Sequence, residues 1–514
     1  MRRRRGGPIS GSDFLQLRAG EAPAKGLTAW LTEGLRAAVA AGRLSPGSRL
    51  PATRLLAGEL GVSRGVVVQA YQRLVDEGLA EARTGSGTVV TGRGVRRAAR
   101  PAGDRRRTLD ELRLPLSTAD GIDIDLSPGV PDLSAFPRAA WLRAERAVLD
   151  RVTAADLRYG DPGGTPRLRA ELVGWLARTR GVRCEADDVV VTAGVAQGLV
   201  LLAQVLRARG VDTLAVEDPG SRGAADQLAF WGMRPVGVPV DEHGIRVGEL
   251  AATGVEAALL TPAHQFPTGV VLSPERRREL LAWAAGARPA GGGTTSGNGG
   301  GLVIEDDYDA EHRYDRAPVA ALQGSAPERV AYLGSVSKSL APAMRTGWLI
   351  APRGMQAELL AAKHASDLGN PALPQLVLAQ LLSSGDHDRH LRGVRTRQRS
   401  RRDALLTGLR AHLPEARVAG VAAGLHVLVL LPGTADDTVL ARRVAATGVQ
   451  VHPLSWHRRR PGPPGLVIGY AAHPPDRLAE AAARIGRALS PPGRALDTPA
   501  AGRALSPPRV RRGP

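Results

Sequence analysis

Lys338 stands among residue types that suit covalent chemistry on an amine. The chain has only three lysines among 69 basic residues, so an amine nucleophile has few candidates. Lys338 follows an apolar run in GSVSKSLAPAMRTGW (334–348), after Ser335 and Ser337 and ahead of Arg345. An imine-forming lysine needs neighbours that lower its pKa, and hydroxyl groups with an arginine suit a nearby phosphate. Taken alone, Lys338 would be a surface lysine after a strand, so the prediction depends on its companions.

A second segment, LVIEDDYDAEHRY (302–314), sets Asp306 and Tyr308 just past the end of another apolar run. Pyridoxal phosphate works as an electron sink only while its ring nitrogen is protonated, which an apposed carboxylate ensures, and a phenol can hold the 3′ oxygen. The acidic run Glu305-Asp306-Asp307 would also suit Mg²⁺, but no matching histidine or phosphate-cradling glycine loop accompanies it. The residue types therefore predict a pyridoxal phosphate site and no metal.

These residues need a scaffold that brings distant segments together. Short apolar runs rich in β-formers alternate with longer Ala- and Leu-rich helical stretches, and the runs are DVVVTAG, TLAVEDPG, AALLTP, LVIEDDYD, VAYLGSVSKS and TGWLIAP. Continuous apolar strands flanked by helices predict an α/β domain with a mostly parallel sheet covered on both faces. Its chemistry is expected in loops at the carboxyl ends of the strands.

The charge of the chain is concentrated near its N-terminus. The formal net charge is +19, and residues 1–107 carry 20 basic but only 8 acidic side chains. Such a segment neutralises phosphates and gains from counterion release, which predicts nucleic-acid binding. The alternative is that arginine-rich tails only keep the protein soluble.

The basic segment also contains a pattern of two helices and a hairpin. Leucines and a valine at four-residue spacing predict a helix over 27–44, and RLLAGELG predicts a second, short helix. Gly61-Val62 forms a turn, and Ser63 is the expected N-cap of a third helix, which begins SRGVVVQAYQRLVDEG. The first residues of that helix, Ser63, Arg64 and Gly65, would meet base edges. LAEARTGSGTVVTG then predicts a small hairpin or wing.

In this order, residues 25–92 resemble the GntR family of winged helix-turn-helix regulators, notably in AGRLSPGSRLPATRLLAGELGVSRGVVVQAYQRLVDEGLAEARTGSGTVV. The resemblance implies binding to double-stranded operator DNA. The implied contacts are Arg54 with phosphate, Arg64 with bases or phosphate, and the wing tip around Thr84, Gly85 and Thr88 near the minor groove.

Six motifs in the family order resemble the aminotransferase-like domain of MocR/GabR-type regulators over about 120–488. They are the Asp306 and Lys338 segments together with RYGDPGG (158–164), VTAGVAQGL (191–199), VEDPG (216–220) and TPAHQFPTG (261–269). The resemblance implies a fold-type I aminotransferase architecture, pyridoxal 5′-phosphate, a small amine or amino-acid-like effector and a head-to-tail homodimer. The implied roles are Lys338 as internal aldimine, Asp306 at the pyridine nitrogen, Tyr308 at the 3′ oxygen, Gly194, Val195, Ser335 and Arg345 around the phosphate, and Tyr159 at the neighbouring subunit's cofactor.

The chain departs from both families at three places. Gly65-Val66 stands where many GntR proteins carry polar residues, which leaves fewer base-reading side chains. Ser221 follows VEDPG where relatives usually carry an aromatic residue that stacks on the cofactor ring. The strand PGLVIGYAA (464–472) lacks the arginine that aminotransferases commonly use for a substrate carboxylate, and Arg458, Arg459 or Arg460 are its possible substitutes.

The predicted organisation is a basic arm (1–24), a DNA-binding module (25–92), a linker (93–119), an effector domain (120–488) and a tail (489–514). A glycine-rich insertion at 285–301 interrupts the effector domain. No apolar run approaches the roughly 18 residues that span a bilayer, and MRRRRGGPIS is not followed by the apolar stretch of a secretory signal. We therefore expect a cytoplasmic protein without membrane segments.

Three functions compete for this combination. The preferred one is a DNA-binding transcription regulator in which an amine effector reacts at the Lys338 aldimine and alters operator binding, with little or no transaminase turnover. The second is a working aminotransferase tethered to DNA, which would need a specific carboxylate site. The third, a structural nucleoid protein with a dead metabolic domain, would have no reason to retain Lys338.

Overall fold

The computed structural model describes residues 26–40, 43–45, 47–83, 87–91, 121–286, 300–309, 311–314 and 319–490. The predicted basic arm and linker lie outside these residues, as does the predicted tail beyond Ser490. The chain divides into two compact units, residues 1–105 and 106–514. No helix among the described residues is long and apolar enough to cross a membrane.

The described residues of the first unit form three helices and a hairpin: α1 (Leu27–Ala40), α2 (Thr53–Leu60), α3 (Arg64–Asp76), β1 (Ala80–Arg83) and β2 (Gly87–Val90). The predicted helix pair and hairpin are confirmed. Helix α1 ends at Ala40 rather than at residue 44, because Leu44 turns back and its amide donates to the Ala38 carbonyl over 3.1 Å. Buried side chains from all three helices, including Leu35, Leu56 and Val67, form one apolar core.

The second unit is larger and mixes helices with strands. Its helices are α4 (Arg138–Leu149), α5 (Pro166–Arg180), α6 (Val195–Ala208), α7 (Arg222–Phe230), α8 (Val247–Ala252), α9 (Pro274–Ala284), α10 (Gln356–Asp367), α11 (Ala372–Ser383), α12 (Asp386–His412), α13 (Asp437–Ala445) and α14 (Pro475–Leu489). Its strands are β3 (Ile124–Asp125), β4 (Val189–Thr192), β5 (Thr213–Asp218), β6 (Arg234–Asp241), β7 (Gly244–Ile245), β8 (Ala257–Leu260), β9 (Leu302–Asp306), β10 (Val330–Ser335), β11 (Gly347–Ile350), β12 (Arg417–Ala419), β13 (His426–Leu430), β14 (Val449–Gln450), β15 (His452–Pro453) and β16 (Gly465–Gly469).

An eight-stranded sheet forms the centre of this unit, in the order β4-β11-β10-β9-β8-β5-β6-β7. The pairs β10–β9, β9–β8, β8–β5 and β5–β6 are parallel, whereas β11 and β7 run antiparallel to their neighbours. The mostly parallel α/β sheet predicted from the apolar runs is therefore confirmed. Its strands are buried on both faces, as β4 and β10 illustrate. The carboxyl ends of β4, β9 and β10 share one edge, where the loops carrying the candidate residues begin.

A smaller antiparallel sheet, β12-β13-β16-β15, completes the C-terminal part of the unit. Helices α12 and α14 cover it, with Leu405, Ile468 and Ile485 among the buried side chains of its core. Strand β3 pairs with β14 in parallel, so the start of the second unit is held against its C-terminal part.

Candidate functional site

Lys338 lies in the loop that follows β10, with its amine in a mostly enclosed position. The Nζ atom donates a hydrogen bond to the Gly129 carbonyl over 2.6 Å. Burial lowers the pKa of Lys338, although the Asp309 and Asp306 carboxylates oppose that shift. Gly129 has a φ of +88°, and a Cβ there would lie 3.2 Å from Nζ, so glycine is what allows this approach. The sequence prediction did not include Gly129.

Asp306 ends β9 beside this lysine. Asp306 is half-buried, but its Oδ1 atom is fully buried and has no hydrogen-bond partner among the residues that the structure describes. Burial, together with the nearby Asp307 and Asp309 carboxylates, raises the pKa of Asp306 to about 7. A buried carboxylate oxygen without a partner suits a ligand that brings a positive N–H group.

The two acidic neighbours of Asp306 have structural partners of their own. Asp307 accepts a hydrogen bond from Arg180 over 2.6 Å and one from the Tyr332 hydroxyl over 2.6 Å. Glu305 accepts backbone hydrogen bonds from Leu322 and Gln323. Glu305 and Asp307 therefore have structural contacts, whereas Asp306 Oδ1 has no hydrogen-bond partner among the described residues.

The predicted phosphate-binding residues meet at the N-terminus of α6. Gly194 is the N-cap of that helix with φ +81°, and a Cβ there would lie 3.3 Å from the Arg345 guanidinium. Arg345 donates to the Ala193 carbonyl and itself has a left-handed backbone, with φ +47°. A helix N-terminus beside an arginine is a favourable anion site. Val195 is the first residue of the helix.

The two predicted serines lie on the adjoining strand end. Ser335 is buried at the end of β10, and its hydroxyl accepts a hydrogen bond from the Ser337 amide over 3.4 Å. Ser335 pairs with Gly347 of β11, and a Cβ on Gly347 would lie 2.8 Å from the Gly194 Cα. The serines and the helix terminus are thus neighbours.

Tyr159 is not brought to this group within one chain. Its side chain is 91% exposed, in a stretch of turns between α4 and α5. It lines a surface cleft of about 840 Å³ together with Leu157, Leu368 and Leu373. These three leucines are also exposed, so this face is more apolar than an ordinary surface.

Ser221, where an aromatic residue was expected, has a structural task. It is the N-cap of α7, and its hydroxyl accepts from the Ala224 amide over 3.3 Å. Ser221, Arg222 and Arg459 help to line a cavity of about 200 Å³. Of the arginines named as substitutes, Arg458 donates to the Pro463 carbonyl and Arg460 lies 3.5 Å from Glu249.

The DNA-facing candidates lie on α2, α3 and the hairpin. Arg54, Arg64 and Gly65 are exposed, Ser63 is the N-cap of α3 and accepts from the Val66 amide over 3.4 Å, and Thr88 lies half-buried on β2. The Arg64 Nε atom lies 3.4 Å from the Thr53 hydroxyl, so the start of α3 is tied to the start of α2. Thr84 and Gly85 fall outside the described residues.

Comparisons with known proteins identify the family to which the chain belongs. Residues 28–90 match the gntR family of bacterial regulatory proteins, and residues 122–289 and 300–485 match aminotransferase class I and II. The chain is 34% identical over 464 residues to the HTH-type pyridoxine biosynthesis transcriptional regulator PdxR of Corynebacterium glutamicum, covering 90% of this chain and 95% of that protein. It is 32% identical to the probable rhizopine catabolism regulatory protein MocR of Rhizobium meliloti, covering 88% and 91%. The chain belongs to the GntR family as a MocR-type transcriptional regulator.

Solved aminotransferases share the fold of the larger unit of this MocR-type regulator. The kynurenine aminotransferase of Pyrococcus horikoshii, in complex with PMP, superposes with a TM-score of 0.66 at 25% identity, covering 75% of this chain and 95% of that chain. LysN, the alpha-aminoadipate aminotransferase of Thermus thermophilus, superposes with a TM-score of 0.62 at 26% identity, covering 74% and 98%. The predicted fold class is confirmed. Between the two matched ranges, residues 290–299 lie inside the predicted glycine-rich insertion.

The aminotransferase class I and II fold of the MocR-type regulator implies pyridoxal 5′-phosphate as its cofactor. The residues present fit that group. The unpartnered Asp306 oxygen suits the protonated ring nitrogen, the α6 N-terminus with Arg345 suits the phosphate, and the enclosed Lys338 suits the aldehyde.

Sequence reasoning missed two buried residues in this region. His264 Nδ1 lies 2.9 Å from Asp309 Oδ2 and 3.1 Å from the Tyr308 hydroxyl. Ligating atoms of His264, Asp309 and His426 all lie within 4.8 Å of one another. The available signal was the histidine of TPAHQFPTG and the third aspartate of the Asp306 segment, both of which stood in quoted motifs without a role.

Proposed function

We propose that this MocR-type regulator is controlled by a small molecule with a primary amine, which acts at the Lys338 site and alters operator binding by the N-terminal module. The observation that carries the proposal is the enclosed Lys338 amine beside Asp306, whose Oδ1 atom has no hydrogen-bond partner among the described residues, in a chain that also has a GntR module. Lys338 and Asp306 have the residue types needed for chemistry on amines, and the GntR module is the part of the chain that would bind DNA.

Each residue contributes one property to this site. Pyridoxal 5′-phosphate supplies, when bound, an aldehyde carbon that exchanges between primary amines. Burial of Lys338 raises the fraction of its amine that is neutral and therefore nucleophilic at a given pH. Asp306 keeps a proton on the ring nitrogen, and Arg345 with the α6 N-terminus holds the phosphate.

An effector amine competes with Lys338, so its arrival leaves the lysine amine free. A free amine at this position can donate to the Gly129 carbonyl, the contact present in the structure. Gly129 belongs to the segment that begins at residue 121, directly after the predicted linker. A released Lys338 thereby holds the first described segment of the second unit, which follows the linker in the sequence. A tenfold change in operator affinity requires about 1.4 kcal/mol of coupling between the two sites.

We also propose a head-to-tail homodimer in which Tyr159 reaches the partner's cofactor. The support is the 91% exposure of Tyr159 and the exposed leucines around its cleft. Leu142 and Leu149 of the adjoining α4 are exposed as well, so the apolar face continues along that helix. Sedimentation of the full chain measures this assembly directly.

Turnover as an aminotransferase is less well supported by the same residues. Strand β16 carries only Gly, Leu, Val and Ile, so it offers no guanidinium for a substrate carboxylate. Arg222, Arg458 and Arg459 line the 200 Å³ cavity beside Ser221 and are the alternative cations there. The regulatory proposal needs amine exchange at the site and does not need repeated turnover.

The test measures operator binding by the full chain while a panel of amines is added. DNA sequences that bind are first selected from a random duplex library. We expect at least one amine to change the affinity of the wild-type protein several-fold, and Lys338→Ala to abolish that response while retaining DNA binding. A response that persists unchanged in Lys338→Ala contradicts the proposal. Lys338→Arg is the matched control, because it keeps the charge but cannot exchange with an amine.

A further inference from the structure

His264 and Asp309 form a buried pair whose role the cofactor contacts do not explain. Their side chains are 2% and 1% exposed, and His264 Nδ1 lies 2.9 Å from Asp309 Oδ2. The same nitrogen lies 3.1 Å from the hydroxyl of Tyr308. A single ring nitrogen therefore serves both a carboxylate and the phenol that is proposed to face the cofactor.

The protonation of this group follows from the charges that surround it. Burial by itself would raise the pKa of Asp309, but the His264 ring, with His426 and His312, outweighs burial and the pKa is lowered. Asp309 is therefore an anion at neutral pH and can only accept hydrogen bonds. Nδ1 of His264 must then carry the hydrogen, which it shares between Asp309 and the Tyr308 oxygen.

Tyr308 remains a neutral phenol in these surroundings. Burial and the Asp309 charge raise its pKa well above the usual value for tyrosine. The Tyr308 hydroxyl lies 3.1 Å from His264 Nδ1 and is also hydrogen-bonded to Asp309. The ring oxygen of a bound cofactor would therefore compete with Asp309 for the phenol proton. The Asp306 and Glu217 carboxylates raise the pKa of Tyr308 further, and Lys338 faces both Asp306 and Asp309.

Packing fixes the orientation of the histidine ring. Gly424 has a φ of +76°, and a Cβ there would lie 2.1 Å from His264 Cε1 and 2.7 Å from Asp309 Oδ2. A Cβ on Gly269 would lie 3.4 Å from His264 Nε2. Phe266 stands edge-on to Tyr308, with the ring centres 6.3 Å apart. The ring of His264 is thus confined between two glycine positions and cannot turn freely.

We propose that His264, oriented by Asp309, is a positioning residue that directs the Tyr308 hydroxyl toward the ring oxygen of pyridoxal 5′-phosphate. The inference rests on the proposed cofactor role of Tyr308 and adds the two residues that control it. A hydrogen bond donated to the ring oxygen stabilises its anionic form. Loss of His264 should therefore make that form harder to reach.

The experiment is a pH titration of the visible absorption of the full-length protein loaded with pyridoxal 5′-phosphate. In His264→Phe, which keeps an aromatic ring and loses the N–H donor, we expect the pH midpoint of the cofactor's colour change to rise by about one unit. His264→Gln keeps an N–H donor and should return the midpoint most of the way to the wild-type value. Asp309→Asn should raise the midpoint in the same direction, and it provides a second test if His264→Phe does not fold.

His426→Phe is the matched control. His426 is as buried as His264 and bonds the Pro267 carbonyl over 3.2 Å, so the control disturbs the cluster without removing the His264 donor. A midpoint that moves equally in His426→Phe and His264→Phe would show a merely structural role and overturn the inference, as would an unchanged midpoint in His264→Phe.

Stoichiometric Zn²⁺ binding lost in both histidine variants would also overturn it, because the cluster would then be a metal site. Failure of the cofactor proposal is distinct, since the wild-type protein would then show no visible band.

Discussion

At the scale of single residues, Asp306 combines a charge with an environment that opposes it. Burial is the largest cause that raises its pKa to about 7, and two neighbouring carboxylates add to that shift. A residue that is unfavourable for folding and lies in a ligand site is typical of functional positions. The cofactor's ring N–H would supply the partner that Oδ1 lacks.

Replacing Asp306 by Asn tests this conflict in the cofactor-free protein. The unfolded carboxyl titrates near pH 4 and the folded one near pH 7, so between these values the folded state binds the extra proton. Stability is therefore lost as the pH rises through this window. The free energy of unfolding of Asp306→Asn, relative to wild type, should rise across it by about 4 kcal/mol at most.

Denaturant titrations at several pH values measure this difference. Asp212→Asn is the control, because Arg234 lowers the pKa of Asp212. The free energy of unfolding of Asp212→Asn, relative to wild type, should therefore not rise over the same pH range. A relative stability of Asp306→Asn that stays flat with pH contradicts the account.

From the sequence, residues with a specific chemistry could be identified more readily than the contacts that they make. Lys338, Asp306 and Arg345 were identifiable because few other residue types can perform their chemistry. Gly129 and His264 were not, since their importance depends on a carbonyl and a ring nitrogen meeting partners far along the chain, Lys338 and Tyr308. Ser221 was noted as a missing aromatic residue, while its capping of α7 became visible only with the helix start.

At the scale of elements, a buried ion pair joins α5 to the loop that begins at the end of β9. Arg180 at the end of α5 donates to Asp307 over 2.6 Å, and both side chains are almost fully enclosed. Arg180 also donates to the Val319 carbonyl over 2.6 Å. This pair holds the strand end that presents Asp306, so its contribution is mainly positional.

Arg180→Met should destabilise the protein by about 3–5 kcal/mol, because it leaves the Asp307 carboxylate buried without a cation. The double variant Arg180→Met/Asp307→Asn should recover much of this loss, since the charge is then removed as well. Thermal or denaturant unfolding of wild type and both variants measures the effect. If the double variant were no more stable than the single one, the buried charge would not be the cause.

The helix pair α2–α3 carries a separate prediction for DNA binding. Arg64 begins α3 and is exposed, so Arg64→Ala should cost about 1–3 kcal/mol of operator affinity if it contacts a base edge. Arg54→Ala should instead weaken all sequences alike and reduce the salt dependence by about one counterion. Fluorescence anisotropy at several salt concentrations separates the two.

Arg73→Ala is the control for both variants, because Arg73 is exposed near the other end of α3. Losses of equal size and salt dependence in all three variants would contradict the assigned contacts. The start of α3 could be predicted from the Ser63 cap and the Gly61-Val62 turn. The wing tip at Thr84 and Gly85 stays a prediction.

At the scale of the whole molecule, the account requires that events at Lys338 reach the DNA-binding module. The proposed route passes through the Gly129 carbonyl and the segment that begins at residue 121. The apolar runs could predict the mostly parallel sheet, because its strands are buried on both faces. They could not predict the pairing of β3 with β14, which joins two-residue strands from opposite ends of the unit.

Gly129→Ala should uncouple the two sites. A Cβ at this position would lie 3.2 Å from Lys338 Nζ, so the freed lysine would have to shift away from its present contact. We expect amines still to change the cofactor spectrum, while their effect on operator affinity falls several-fold. Gly121→Ala is the matched control, because Gly121 has a φ of +90° but open space around its Cβ position. Equal responses in the two variants would contradict the route.

The most direct test of the central claim is to find which lysine carries the cofactor. The full-length protein is loaded with pyridoxal 5′-phosphate, reduced with borohydride to fix the attachment, and digested for mass spectrometry. The account predicts one modified peptide, containing Lys338, and none containing Lys363, whose amine is paired with Asp367 over 2.7 Å. Modification at another lysine, or no modification in a protein that still binds DNA, would contradict it.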